Sequence, residues 1–368
     1  MRPQVLGANQ PLDRFYAGGR RIAAFRGDPP VDRNVPEDWV ASTTTLFGEP
    51  NIGLSRLPDG GLLVDAVRRD PAGWLGSEHV EAFGADTSLL VKLLDAGQRL
   101  PVHAHPDVSF AHEHLRVGHG KTEAWVFLEP ALVHLGFTRD IPEDELAGWV
   151  EEQDAAAMLR VMHLLTVEQG DAVLVPAGLP HAIGEGAFLV ELQEPTDLSI
   201  LLEWAGFAID GKSLGHLGLG FQTALGAVDR AGWLRGEIED LRGARADDVG
   251  DLLPDAAEFF RVERSQGRVD WEPGYAVLVV VAGQGELVTG ERVPLRAGQT
   301  VVVPFAAGSC RVEGGEDLEV LRCRPPRPTA TSLGAGGTPG ALLPLGGVQN
   351  LMRRGPQRCP TTRSSRQR

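Results

Sequence analysis

Residues Gly97 to Glu123 read GQRLPVHAHPDVSFAHEHLRVGHGKTE. His103 and His105 are separated by one residue, and on an extended strand residues i and i+2 share a face. Two imidazoles can therefore converge on one point without a turn. Glu123 opens the apolar run of GKTEAWVFL, and His181 lies further on in GDAVLVPAGLPHAI. Three imidazoles and a carboxylate form a donor set for a divalent first-row metal ion.

The spacings extend beyond the donors. Gly97, five residues, His103, one residue, His105 is one half of the cupin pattern; Gly170, five residues, Pro176, one residue, Gly178, two residues, His181 is the other. Gly and Pro fall where tight turns between barrel strands need them. His112 and His114 form a second HxH pair, but with His119 they sit in polar FAHEHLRVGHG and read as rim or solvent residues. His163, among apolar neighbours, reads as core.

At 368 residues the chain is long enough for two domains with sizeable cores. No apolar run reaches membrane-spanning length, and MRPQVLGANQPLDRF has no signal-peptide core. Cys310, Cys323 and Cys359 form no CxxC pair, which argues against a disulfide framework and fits a reducing cytoplasm. The formal net charge is -15, although the last 25 residues carry six arginines and no acid. An acidic body argues against nucleic acid and anionic membranes as partners. An anionic substrate would need a local basic pocket.

The pattern predicts a mainly β chain of two cupin-type (jelly-roll) barrels with a small helical insertion. The first, metal-binding domain spans 1–210. Within it, PEDWVAS at 36–42 reads as a Trp-anchored core edge. Lys92, inside LLVKLLDA, either snorkels outward or points into a pocket. Residues 142–165 carry the helical signals: Pro142, early acids and apolar spacings of three and four. Segment 211–258 is a mixed connector. In 259–324, Gly298, five residues, Pro304 repeats the Gly170–Pro176 step, with Ser309 and Cys310 in the place of His181. This second barrel is expected to be degenerate, metal-free and structural. Residues 325–368, rich in Pro, Gly, Thr, Ser and Arg, read as a disordered basic tail.

From about Trp39 to Trp204 the chain resembles class I mannose-6-phosphate isomerases, a zinc cupin family. PEDWVAS, TSLLVKLLDA, LPVHAHP, GKTEAW and GDAVLVPAGLPHA stand in the order of that family's segments, and Glu191-Leu-Gln followed by Thr196-Asp197 resembles the next. The resemblance implies one divalent ion per chain on His103, His105, Glu123 and His181. Zinc is the expected ion, with iron or manganese as alternatives. It also implies aldose–ketose isomerisation, interconverting mannose 6-phosphate and fructose 6-phosphate through an enediol. Lys121 and Glu191 are then the catalytic candidates, and Lys92 and Asp197 the substrate-binding ones.

Two departures keep other readings open. His103 stands where the family has Gln. Leu201 stands where the family has an Arg, ten residues after Glu191, and no arginine lies between Val161 and Arg230. A non-phosphorylated sugar as substrate, a cupin oxygenase or epimerase, and a non-catalytic sugar-binding cupin are the alternatives. Glu123 follows His105 by eighteen residues, as in the isomerases, and this weighs against the oxygenase reading. If phosphate is bound, Lys92 or Arg99 is the expected substitute for the missing arginine.

Overall fold

The computed structural model describes residues 1–30, 34–243 and 249–328. The tail expected to be disordered lies, from residue 329, outside the described residues. The first run of strands is β1 (Gln4–Leu6), β2 (Glu37–Val40), β3 (Leu90–Asp95), β4 (His103–Ala104), β5 (Glu123–Phe127), β6 (Ala131–Phe137), β7 (Met162–Val167), β8 (Ala172–Val175), β9 (His181–Ile183), β10 (Phe188–Gln193) and β11 (Ile200–Leu201). The second is β12 (Gly250–Asp251), β13 (Arg261–Gln266), β14 (Val269–Trp271), β15 (Ala276–Ala282), β16 (Gln284–Val288), β17 (Arg292–Arg296), β18 (Thr300–Val303), β19 (Cys310–Gly314) and β20 (Glu319–Arg324).

These strands form four antiparallel sheets. Sheet I has the order β2-β3-β10-β5-β8, sheet II β11-β4-β9-β6-β7, sheet III β1-β18-β15-β20-β13-β12 and sheet IV β14-β19-β16-β17. The chain is mainly β, as expected, but each cupin-type unit is a pair of facing sheets: among the described residues no closed hydrogen-bonded barrel forms.

Side-chain alternation fixes how the sheets stack. Leu94, Trp125, Phe127 and Leu189 of sheet I pack on Leu135, Leu165 and Ile183 of sheet II. The opposite face of sheet I, with Leu93, Val126 and Val190, packs on Val277, Val279, Val302 and Leu321 of sheet III, together with Leu63, Val67 and Trp74 from two short helices. The far face of sheet III, with Leu278, Val280 and Val301, meets Leu287, Leu295 and Val312 of sheet IV. The layers therefore run IV, III, I, II. Each buried Leu or Val in these interfaces contributes about 1.5–3 kcal/mol through removal of apolar surface from water.

The strand Gln4–Leu6, which the sequence reading counts with the first domain, pairs with β18 at the edge of sheet III. Two short helices occupy the predicted insertion, Glu143–Glu152 and Ala155–Arg160. The acids of the first turn of the former suit the positive end of its dipole, and Asp154 caps the latter by accepting from Ala157 N. The expected helical span of 142–165 is too long. Met162–Val167 is a strand, because it pairs with β6 and alternates between buried and exposed residues. His163 is core, as expected, with Nε2 2.8 Å from the Trp233 carbonyl.

Candidate metal centre and its cavity

β4 is only two residues long, yet it is gripped on both sides. His103 pairs with Leu201 of β11 and with His181 of β9. Directly opposed residues share a face, so His103, His181 and Leu201 all project toward sheet I. The next ligand strand is delivered by turns that require glycine. Gly178 sits at φ +88, and its N–H donates to the His105 carbonyl at 2.7 Å. Gly97 meets the backbone of Gly18 so closely that a Cβ there would lie 2.9 Å from the Gly18 Cα.

The three rings pack with centroids 4.1 to 5.0 Å apart, and their donor atoms lie within 4.8 Å of one another. Each Nδ1 faces a backbone carbonyl: His103 to Pro101 at 2.8 Å, His105 to Leu198 at 2.7 Å and His181 to Leu179 at 2.8 Å. A carbonyl can only accept, so each Nδ1 carries the proton and each Nε2 presents a lone pair. Glu123 completes the group, with Oε2 3.1 Å from His105 Nε2 and Oε1 3.4 Å from His181 Nε2. Trp125 Nε1 donates to Glu123 Oε1 at 3.0 Å and so orients the carboxylate.

Electrostatics keep these donors in ligand form. Burial, joined by the other rings and Lys121, pushes His103 well below its ordinary value; His105 is lowered to about 3 by burial and Lys121, and His181 is lowered by burial. Burial works against ionised Glu123, but Lys121 and the imidazoles outweigh it and hold the carboxyl well below its usual range. Nε2 of His181 is buried without a hydrogen-bond partner. Fixed tautomers, converging lone pairs and one orphaned nitrogen are what a resident cation would satisfy. The residues present therefore fit a divalent metal ion.

Lys121 reaches the same centre, with Nζ 2.7 Å from Glu123 Oε2, 2.9 Å from His105 Nε2 and 3.7 Å from Glu191 Oε1. Lys92 does not snorkel outward: it is buried, 3.3 Å from Glu191 Oε1 and 3.9 Å from Glu37 Oε2, with its ammonium 4.9 Å from the Trp39 ring centre. Burial and the nearby carboxylates Glu123 and Glu37 raise Glu191 above its ordinary value, against the pull of Lys92 and Lys121. Asp197 accepts from Phe47 N at 3.2 Å.

Lys92, Lys121, Glu123, Glu191 and Asp197 line one cavity of about 590 Å³, whose wall also includes His103, Leu201, Arg14, Tyr16 and Glu37. The structure does not bring the decoy histidines here: His119 Nε2 lies 2.8 Å from Asp86, and His114 packs on Phe110. Arg99 is engaged elsewhere, gripped by both oxygens of Glu203 at 2.8 and 2.5 Å.

Sequence reasoning missed three residues of this wall. Glu37, assigned only to a core edge, accepts from Tyr16 Oη at 2.5 Å, Trp39 Nε1 at 2.7 Å and Arg14 at 3.3 Å. Burial opposes its charge, yet Arg14 and Lys92 hold it well below the usual carboxylate range. Arg14 and Tyr16 arrive from the N-terminal segment, where no motif marks them; the nearby Gly18-Gly19 pair that packs on Asp95 and Gly97 was the available signal.

No family model matches the chain. The mannose-6-phosphate isomerase of Streptococcus mutans is 29% identical over 328 residues, covering 84% of this chain and 94% of that protein. Among solved structures, the Bacillus subtilis mannose 6-phosphate isomerase aligns over 88% of this chain and all of its own, with a TM-score of 0.65 and 21% identity. A mannose 6-phosphate isomerase bound with zinc and yttrium aligns over 89% of this chain with a TM-score of 0.67 and 15% identity. Fold and site together define a mainly β, double cupin-type protein with a buried three-histidine, one-glutamate centre. Over most of its length the chain is similar, at modest identity, to mannose-6-phosphate isomerases.

Proposed function

We propose that the chain is a metal-dependent aldose–ketose isomerase acting on a sugar phosphate, with mannose 6-phosphate and fructose 6-phosphate as the first pair to test. One observation carries this reading: three Nε2 lone pairs, the Glu123 carboxylate and the Lys121 ammonium converge at the foot of a cavity large enough for a hexose derivative. Similarity to mannose-6-phosphate isomerases supports the reaction class.

His103, His105, Glu123 and His181 would hold the ion, for which zinc is our first choice. When bound, it would polarise a sugar oxygen and stabilise negative charge there. Lys121 adds a second positive charge beside that position, where enediolate charge develops. Isomerisation must take a proton from the carbon next to the carbonyl and return one to its neighbour. Glu191 suits that shuttle: it is buried, its proton affinity is raised, and Lys92 orients it. Asp197 and Lys92 would bind sugar hydroxyls. Free, buried Cys310 and Cys323 are in keeping with a reducing compartment such as the cytoplasm.

The phosphate is the open half of the reading. Leu201 presents no charge to the cavity, and Arg14 is the arginine in its wall. Arg14 is already answered by Glu37 at 3.3 Å, so a non-phosphorylated sugar remains a second reading. The deciding experiment is an isomerase assay on phosphorylated and free aldoses, combined with metal analysis of the same preparation. Turnover of mannose 6-phosphate supports the proposal. Metal bound with no turnover of any sugar would move the protein to a binding role.

A further inference from the structure

The second cupin-type unit repeats the strand order of the first, without a counterpart of β11, and its register shows what replaces the metal centre. Val175 and Val303 each precede the proline of the shared Gly–Pro step. Val175 pairs with Glu123, and Val303 pairs with Ala276. Ala276 therefore stands where the first unit has its carboxylate ligand. Two residues further on, Trp125 pairs with Glu191 and Leu278 with Arg322. Glu191 in turn faces Lys92, and Arg322 faces Glu263. The buried ion pair of the first unit is thus kept in the second with its charges exchanged, at 3.3 Å in one and 3.2 Å in the other. Trp271 opposite Cys310 takes the place of His103 opposite His181, and the Arg322 guanidinium lies 4.8 Å from the Trp271 ring centre.

The exchange leaves excess positive charge. Arg324 pairs across the ladder with Arg261 and projects on the same face as Arg322. Glu263 is the only carboxylate ion-paired to this group among the described residues, at 3.2 Å to Arg322 and 3.6 Å to Arg324. Arg261 spends its Nε on the Pro325 carbonyl, and exposed Arg327 is near enough for its charge to act on Arg261 and Arg324. Nε of both Arg322 and Arg324 is buried with no hydrogen-bond partner. A structural ion pair needs one arginine for one glutamate; here like charges crowd one another around a single acid. Burial and neighbouring arginines bring Arg261 and Arg322 down to about 10, the opposite of what a satisfied guanidinium shows.

We infer that Arg261, Arg322, Arg324 and Arg327 form an anion site in the second unit, at the fold position of the first unit's metal centre, for an oxyanion of the phosphate class. Guanidinium forks match phosphate oxygens in geometry as well as charge. The occupant could be free phosphate or the phosphoryl group of a sugar phosphate. This goes beyond the isomerase reading and does not depend on it.

The test is thermal unfolding of the full chain in inorganic phosphate, and separately in mannose 6-phosphate, each against sodium chloride of equal ionic strength. The wild-type midpoint should rise with phosphate by several degrees more than with chloride, because a ligand that binds only the folded state stabilises it. Arg324→Gln should abolish that rise and, without phosphate, should melt no lower than wild type, since it relieves repulsion. Exposed Arg327→Gln should weaken the rise without disturbing folding. A larger response to the sugar phosphate, lost in the same variants, identifies a phosphorylated metabolite as the occupant. A wild type indifferent to phosphate overturns the inference. So does a response that both variants retain, which would place the phosphate in the first unit's cavity.

Discussion

Nζ of Lys121 stands 2.9 Å from Nε2 of His105, so the ammonium donates to the same lone pair that a metal ion would take. The two cations share one set of acceptors: Glu123 Oε2 also has Lys121 at 2.7 Å. Lys121 is therefore both a neighbour of the ion and a competitor for its ligands.

Replacing Lys121 by methionine separates these two effects. Lost transition-state stabilisation should lower kcat by about a hundredfold or more, with a smaller change in KM. Metal affinity, measured by chelator competition, should hold or rise because the competing ammonium is gone. A variant that loses metal along with activity would show Lys121 to be a prop for the ligands instead.

Metal content follows from the histidine cluster. Wild-type protein should carry about one divalent ion per chain, since three histidines and a glutamate complete one four-donor set. His181→Ala should lose most of it, as the remaining donors leave a coordination position open to water. Elemental analysis checks both; an ion retained in full by the variant would place the site elsewhere.

Discrimination between phosphorylated and free sugar should be modest. Arg14, Lys92 and Lys121 line the cavity, but so do Glu37, Glu49, Glu123, Glu191 and Asp197. Leu201→Arg, at a residue that lines the cavity opposite His103, should raise kcat/KM for mannose 6-phosphate relative to mannose. If the wild type already prefers the phosphate strongly, Arg14→Gln should erase that preference. Persistence of a strong preference in Arg14→Gln would rule Arg14 out as the phosphate anchor.

The metal-free protein should lose stability as pH falls. His105 is held at about 3 against an ordinary value of 6.5. Above the latter, folded and unfolded chains are both neutral at this residue. Between the two values the unfolded chain takes up a proton that the folded chain refuses, so falling pH favours unfolding. His103 and His181 act in the same direction. Urea midpoints of chelator-treated protein from pH 7.5 to 4.5 read this directly. A flat profile would contradict the buried neutral imidazoles.

The motifs were legible because their logic is local: HxH on a strand, a glycine at the turn and a proline at the strand end are spacings within a few residues. That His103, His105 and His181 meet, with Glu123 beside them, depends on pairing between distant strands. Lys92 could not be oriented from sequence because β3 is buried on both faces: sheet I lies between two other sheets, so LLVKLLDA shows no alternation. Arg14 and Glu37 were invisible for a different reason. Their roles arise from contacts with each other and with Lys92, far apart in the chain, and each carries only an ordinary charge in a turn-rich stretch.

The pairing of Val5 with Val301 has a consequence for how the chain is made. β1 leaves the ribosome long before β18, the strand it pairs with. Until β18 emerges, β1 has no sheet partner, and the segment that carries Arg14 and Tyr16 is held by earlier contacts such as those of Asn9 with Asp38 and Trp39. The histidine ligands and Glu123, all before residue 182, can assemble earlier. The histidine cluster should therefore assemble before β1 is fastened to sheet III, which must wait for β18.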